Sequence, residues 1–522
     1  MKNNFYLILA LLMTLFIGTA SAQVTTSSIS GQVTDDSGET LPGATVIAVH
    51  VPSGTQYACI TNENGRYFIQ GMRPGGPYTI TYSFVGLNNE IFNDVQLSLG
   101  EDAKYNAQLR ANTTELKEVV VVGENKFDAN KTGAGSRVTN EDIQNLPSIS
   151  HSVADAARLN PQITISQNGA MSFAGTHNRY NSFQVDGAMN NDVFGLTASG
   201  SNGGMADAQP ISMETIEQIQ VSVAPFDVRQ SGFTGGSVNA VTKSGTNNFH
   251  GSIYANWLNE SLIGNNYTLM NGKKCEKYQD ELEYRIGATV GGPIIKNKIF
   301  FFVNYETTDK EYPDNYGLGS AASKVGVAEA NEIMQKLTEL GYTGTYANKD
   351  NYTKSEKAGI KLDFNIGSRH KAAFSWRIVD AKSLRYNNSA TSLNTNDYLM
   401  DYSSTTNTFA AELQSRFTDK LSNEFKTSYV RVRDSRDPFG TFPMISISNV
   451  SDGSINIGTE RSSGANGLDQ DIFTVTDNFT WYKGKHTITF GTHNEFYKFG
   501  NIFIQDIYGT YYFNSQIGRA HV

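Results

Sequence analysis

The 522-residue sequence is poor in the residues that make chemistry: two cysteines, three tryptophans and eight histidines. Cys59 and Cys275 lie far apart, in different apparent domains; an exported protein could pair them, but their spacing suggests neither a disulfide framework nor a metal site, and both are read as free, mostly buried thiols. The histidines, at 50, 151, 177, 250, 370, 486, 493 and 521, never form H-E-x-x-H or a comparable ligand spacing. "GPIIKNK" and "SGFTGGS" lack the G-x-x-x-x-G-K-[ST] spacing that cradles a phosphate. No catalytic residue, metal site or cofactor is expected, and the chain is not read as an enzyme. Positive charge is also short. The formal net charge is −9, without the basic footprint that nucleic acid requires. After the first 22 residues no run of about 18 apolar residues occurs, so no transmembrane helix is expected. In lipid only helices and closed barrels satisfy every backbone group, so such a chain can enter a membrane only as a β-barrel.

What is present begins with a leader. "MKNNFYLILALLMTLFIGTASA" has basic Lys2, an apolar run from Phe5 to Ile17 and an A-x-A ending. It is read as a secretory signal peptide cut between Ala22 and Gln23. The run is short for a membrane anchor, which needs about 20 residues.

Residues 23–110 show short strands and turns. "SISGQV" and "ATVIAV" flank "DDSGETLPG", and "QYACI" and "RYFIQ" flank "TNENG". Asn64-Gly65 is a hairpin signal, and the unit is expected to be a small β-sandwich. Residues 111–130 form a linker around "ELKEVVVVGE", whose four valines read as an extended strand. Residues 131–243 mix helical pieces ("NEDIQNLPS", "SVADAARL") with strands ("SFQVDG", "METIEQIQVSV"), an α+β pattern. From 244 to 516 strand segments alternate strictly. In "HKAAFSWRIV" Ala372, Phe374, Trp376 and Ile378 share one face, and Lys371, Ala373, Ser375 and Arg377 the other. In "KIFFFVNYET" Ile299, Phe301, Val303 and Tyr305 form an apolar face. Long polar loops, 312–357 and 434–470, alternate with short turns such as "NIGSRH" and "FTDKLS". Apolar bands, polar counter-faces and unequal loops fit an outer-membrane barrel of about nine to eleven strands here, incomplete as it stands, better than a soluble sandwich. The expected fold class is therefore mainly β: an N-terminal sandwich, an α+β unit, then a partial antiparallel transmembrane barrel. The chain stops in mid-pattern and is read as a C-terminally truncated piece. "QIGRAHV" can be encoded by the start of a common sequencing adapter, so residues 517–522 are read as a non-native tail.

Three stretches carry a family resemblance. "G-x-V-x-D-x-x-G-x-x-L-P-G-A-x-V", Gly31 to Val46, resembles the carboxypeptidase-regulatory-like domain. "NRYNSFQVDGAMNNDVFGL", Asn178 to Leu196, and "PFDVRQSGFTGGSVNAVTKSGTN", Pro225 to Asn247, resemble the plug and barrel entry of TonB-dependent outer-membrane receptors, in a layout common in Bacteroidetes, and the second is particularly close to the Oar-like branch. The "SLYGSRAANGVI"-type block of glycan importers is absent, which argues against a glycan substrate.

The resemblance implies active transport of an extracellular substrate across the outer membrane, with outer-membrane lipid around the barrel. TonB, with its inner-membrane energising complex, is the implied partner, and a surface lipoprotein is a further one. Residues Leu116, Lys117, Glu118, Val119, Val120, Val121, Val122 and Gly123 are identified as the TonB box, a strand captured by adding its edge to a partner sheet. At the plug, Arg179, Asp186, Gly187, Asn190, Asn191 and Asp192 are candidates to face substrate. Asp186 is more simply a turn residue beside Gly187. An adhesion or matrix-binding protein, or a ligand-sensing signalling receptor, is the alternative on the same domains.

Overall fold

The computed structural model describes residues 24–111, 134–146, 151–166, 169–197, 199–223, 227–230, 232–263 and 281–514. The leader with its Ala22–Gln23 cut, the strand Leu116–Gly123, Cys275 and the 517–522 tail lie outside the described residues.

The first domain is two packed sheets. One holds Arg66–Met72, Ser27–Asp35, Asp102–Lys104 and Ala107–Leu109; the other holds Thr55–Ile60, Thr45–His50, Gly75–Ser83 and Glu90–Leu97. Alternate residues point inward, so Ile29, Val33, Val46, Tyr78, Ile80, Tyr82 and Leu97 make one closed core. The turn at Asn64-Gly65 forms, with Gly65 at φ +65°. The hairpin expected there does not. Thr55–Ile60 pairs with Thr45–His50, while Arg66–Met72 crosses to pair with Ser27–Asp35 in the other sheet. Turn chemistry is local, but the choice of partner is made by the core that each strand's apolar face must join.

His50 is buried in this domain, its Nδ1 2.7 Å from Ser53 Oγ. Burial, then the nearby Arg73 charge, push its pKa down from 6.5 to about 3. Below pH 6.5 the unfolded chain takes up a proton that the folded domain refuses. Stability is therefore full above 6.5 and falls by about 1.4 kcal/mol per pH unit beneath it. Pulse proteolysis in urea should read a loss of about 2 kcal/mol between pH 7 and pH 5, and His50→Gln should flatten that slope.

The second unit is a five-stranded sheet in the order Ala188–Met189, Ser182–Val185, Gly236–Thr242, Ile216–Val223, Ala134–Thr139. Its two short helices, Asn140–Asn145 and Val153–Ala157, both begin on capping boxes, at Thr139 and Ser152. The central strand Gly236–Thr242 is buried along its whole length.

The third unit is one antiparallel sheet of nine strands, wrapped around the second. Its strands are His250–Asn259, Leu282–Ile295, Ile299–Tyr312, Asn351–Ile366, His370–Arg385, Met400–Thr418, Leu421–Pro438, Ala465–Lys483 and His486–Ile504. Burial is inverted relative to a water-soluble protein. Ile253, Trp257, Ile286, Val290, Ile360, Phe374, Phe409, Phe473 and Phe490 point outward and exposed; Arg285, Glu306, Lys357, Lys361, Ser375, Thr406, Lys426 and Gln470 point inward and buried. A soluble sandwich would bury the first set. A lipid-facing wall around a polar lumen requires this arrangement. On one strand both faces are apolar: Phe300 and Phe302 are buried inward while Tyr305 is exposed outward.

Consecutive wall strands are joined at one end by short turns, at 296–298, 367–369, 419–420 and 484–485. At the other end the connections are long, and the described ones, 313–350, 386–399 and 439–464, carry structure of their own. The 313–350 connection carries a helix, Val327–Glu339. With Ser392–Asn394, Met444–Val450, Gly453–Ile457 and Thr510–Asn514 it builds a small outer unit around Val325, Leu393, Val450, Ile455 and Ile457. The strands also run further than the expected loops 312–357 and 434–470 allow, starting at Asn351 and ending at Pro438, because polar residues continue the ladder beyond the apolar band.

Candidate functional site

The site is the contact between the inner sheet and the wall. It starts from "VDG". Asp186 and Gly187 both take positive φ, +48° and +75°, and form the two-residue turn between Ser182–Val185 and Ala188–Met189. A type I′ hairpin turn needs that conformation at both central residues, and Asp-Gly supplies it. The turn thereby aims the Asp186 carboxylate sideways. One oxygen accepts from Thr242 N at 2.9 Å and the other from Thr242 Oγ1 at 2.7 Å. Lys361 of the wall donates to Asp186 at 3.4 Å and to the Thr242 carbonyl at 2.9 Å. Arg377 of the wall donates to the Val185 carbonyl at 3.3 Å. Burial alone would raise the Asp186 pKa; the Lys361 and Arg377 charges and the Thr242 bonds outweigh it and hold the carboxyl below its ordinary value.

A second cluster ties the inner unit to the wall nearby in sequence. Ser212 Oγ and Tyr254 Oη donate to Glu306 Oε2 at 2.7 and 2.8 Å, and Lys357 Nζ donates to Oε1 at 2.7 Å. Glu306 and Lys357 are almost fully buried, with side-chain exposures of 4% and 6%. Arg385 of the wall pairs with Asp207 at 3.1 Å and also donates to the Met205 carbonyl.

The six sequence-selected residues divide. Asp186 and Gly187 sit in the buried turn at the wall, and Asn190 is buried, with 2% exposure, its amide donating to the Ala188 carbonyl at 3.1 Å. Their placement is that of plug–wall structure, not of an open face. Asn191 joins neighbouring backbone, accepting from Phe183 N at 2.6 Å and donating to the Asn181 carbonyl at 2.9 Å. Asp192 holds the outer loop, accepting from Phe194 N at 3.1 Å and from Thr197 N at 2.6 Å. Arg179 closes that loop by donating to the Gly195 carbonyl at 2.6 Å. Val193, Phe194 and Leu196 are left exposed at its tip, where Phe194 meets Phe499 edge-on at 4.9 Å. Glu306, Lys357 and Lys361 are not singled out in the sequence, and Arg377 appears there only as a polar-face residue of its strand. Their signal was a charged residue on the polar face of an otherwise regular strand.

Among the described residues no group of His, Cys, Asp and Glu is placed to hold a metal ion. No helix of the described residues is long and apolar enough to cross a membrane.

Known proteins agree with this geometry. The carboxypeptidase regulatory-like domain model matches residues 28–110, the TonB-dependent receptor plug domain model residues 128–238, and the outer membrane beta barrel domain model residues 241–326 and 320–521. The chain is 28% identical over 306 residues to the TonB-dependent transporter Oar of Myxococcus xanthus, covering 56% of this chain and 28% of that one. It is 28% identical over 246 residues to the "Probable TonB-dependent siderophore receptor PirA" of Acinetobacter baumannii, covering 44% and 30%. The outer membrane transporter YddB of Escherichia coli shares the fold at a TM-score of 0.53 and 11% identity, covering 73% of this chain and 50% of its own. The chain thus spans under a third of its curated relatives and half of that structure. An inner α+β sheet bolted inside an inverted, polar-lumened wall, with all three domain models in order, places this chain in the outer membrane as a member of the TonB-dependent receptor family.

Proposed function

We propose that this receptor moves an extracellular solute inward through the wall's lumen, and that TonB powers the movement by capturing Leu116–Gly123. The observation that carries the reading is the plug's attachment. A polar lumen is filled by a sheet held at a few ionic points, Asp186 to Lys361 and Arg385 to Asp207, with a hydrogen-bonded one at Ser212 to Glu306. Such a sheet blocks the path at rest and can be displaced by force. Leu116–Gly123 lies in the chain between the first domain, which ends near Ala111, and the plug strand that begins at Ala134. A pull there bears directly on the plug's edge strand. Four β-branched valines favour the extended backbone that strand addition uses, and Glu115, Lys117, Glu118 and Glu124 keep the edge from aggregating. Arg179 and Asp192 order the apical loop, where an incoming solute first meets the plug. The PirA relative is named for siderophores; at its identity and coverage it leaves the solute here unassigned.

The test is binding of the purified periplasmic domain of TonB to the receptor in outer-membrane vesicles. Deleting Leu116–Gly123 should weaken that binding at least tenfold while the heat-modifiable, folded gel band persists. Undiminished binding would show that TonB docks elsewhere.

A further inference from the structure

The first domain is not a free appendage. It sits across the short-turn end of the wall, which faces the periplasm in outer-membrane barrels. Each short turn or its flank touches it. Asn247, beside turn 296–298, donates its backbone N–H to the Pro52 carbonyl at 2.9 Å, and Asn365 donates to Thr55 Oγ1 at 2.9 Å. The Lys371 ammonium lies 5.6 Å from the Tyr57 ring centre. Arg416 donates to the Ala58 carbonyl, and Ser422 Oγ to Gln70 Oε1 at 2.8 Å. Phe68 packs on Tyr482 at 4.7 Å, and Asn62 donates to the Gly484 carbonyl at 3.1 Å.

One side chain is central. Arg73 leaves the first domain, pairs with buried Asp363 of the wall at 3.4 Å and lies over Phe300 at 5.4 Å. It also donates to the Gly245 carbonyl, on the link between plug and wall, at 3.4 Å. Its own backbone is fixed by Tyr78 Oη, which donates to the Arg73 carbonyl at 2.8 Å. The domain grips the plug as well: Gln218 accepts from Leu99 N at 2.7 Å, and Arg137 pairs with Glu101 at 3.2 Å. Domain, plug and wall together line an open cavity of about 180 Å³, with Arg73, Tyr57, Asp186, Glu217 and Asp363 in its walls.

We infer that the first domain is a second stopper on the periplasmic exit, latched by Arg73, and that it must undock before the path opens. The interface suits release. Among the described residues it is made mostly of side-chain hydrogen bonds, two ion pairs and ring contacts, the kind of polar boundary across which domains move. The same covalent segment, 112–133, leads from the docked domain to the plug, so tension on it bears on both stoppers. The inference rests on the proposed TonB-driven reading, and the experiment separates the two.

The full-length chain carries Gln70→Cys, Ser422→Cys and Cys275→Ser, and cells are oxidised with copper phenanthroline. Cys59 stays, because burial pushes its thiol up to about 12 and makes it unreactive. In protonophore-treated cells the pair should cross-link readily. Arg73→Ala should slow that reaction several-fold, and exposed Arg110→Ala should not. In energised cells the reaction should slow about tenfold, unless Leu116–Gly123 is deleted. Absence of cross-linking without energy would overturn the docking. Cross-linking that ignores energy while TonB still binds would make the domain a fixed floor and overturn the gate alone. Cross-linking that ignores energy when TonB does not bind would sink both readings.

Discussion

Asp186→Ala is expected to loosen the plug from the wall by about 3–5 kcal/mol, the cost of removing one partner from a buried ionic contact. Three losses combine. Lys361 keeps its charge at a buried position, its remaining partner here the Thr242 carbonyl. Thr242 loses acceptors for both its N–H and its hydroxyl. Alanine must also hold φ near +48°, where it is strained by roughly 1 kcal/mol and aspartate is better tolerated. Hydrogen exchange across Ser182–Met189 and Gly236–Thr242 is the readout, and it should accelerate by about a hundredfold or more. Asp186→Asn separates the causes. It keeps the turn and an acceptor for Thr242 but removes the charge, so it should fall between the two. Acid should act in the same direction. The folded carboxyl titrates below its ordinary 3.8, so its contribution is complete above that value. It fades only as pH falls through the lowered one. Exchange at these strands should therefore be insensitive to this group between pH 5 and 7. If Asp186→Ala exchanges like the parent, the plug is held elsewhere.

The "VDG" turn itself was legible in the sequence, because Asp-Gly is a local conformational statement. That its carboxylate reaches Lys361 was not, since the two lie 175 residues apart in the chain. The same limit runs through the wall. Alternation told that Ser375 and Phe374 face opposite ways, and the structure puts Ser375 in the lumen and Phe374 outside. Alternation carries a face but no partner. It could not tell that Lys357 would meet Glu306 across two strands, or that Phe300, in an apolar run, would turn inward to lie under Arg73. The Asn64-Gly65 turn shows the converse: the bend was right and the pairing wrong, because two sheets compete for the strand that leaves it. The helix Val327–Glu339 was hidden inside a polar stretch, where just two of its residues, Ala330 and Leu337, reach a buried position. So few anchors leave little periodic signal.

Glu306→Ala should cost about as much as Asp186→Ala, about 3–5 kcal/mol, for a related reason with a sharper test. Glu306 accepts from Lys357, Ser212 and Tyr254 at once, so its loss strands one ammonium and two hydroxyls in a buried place. Lys357→Met leaves the carboxylate with two hydroxyl donors and should cost less. Ser212→Ala removes one neutral donor to a charged acceptor and should cost about 1.5–3 kcal/mol. The double variant Glu306→Leu with Lys357→Met removes both charges and replaces them with apolar groups of similar volume. It should be more stable than Glu306→Ala alone, with a coupling of several kcal/mol between the two sites. Urea unfolding of the detergent-solubilised receptor, followed by loss of the heat-modifiable gel band, measures each value. Strict additivity of the single changes would mean that the pair is solvated in the lumen and that Ser212 alone joins plug to wall there.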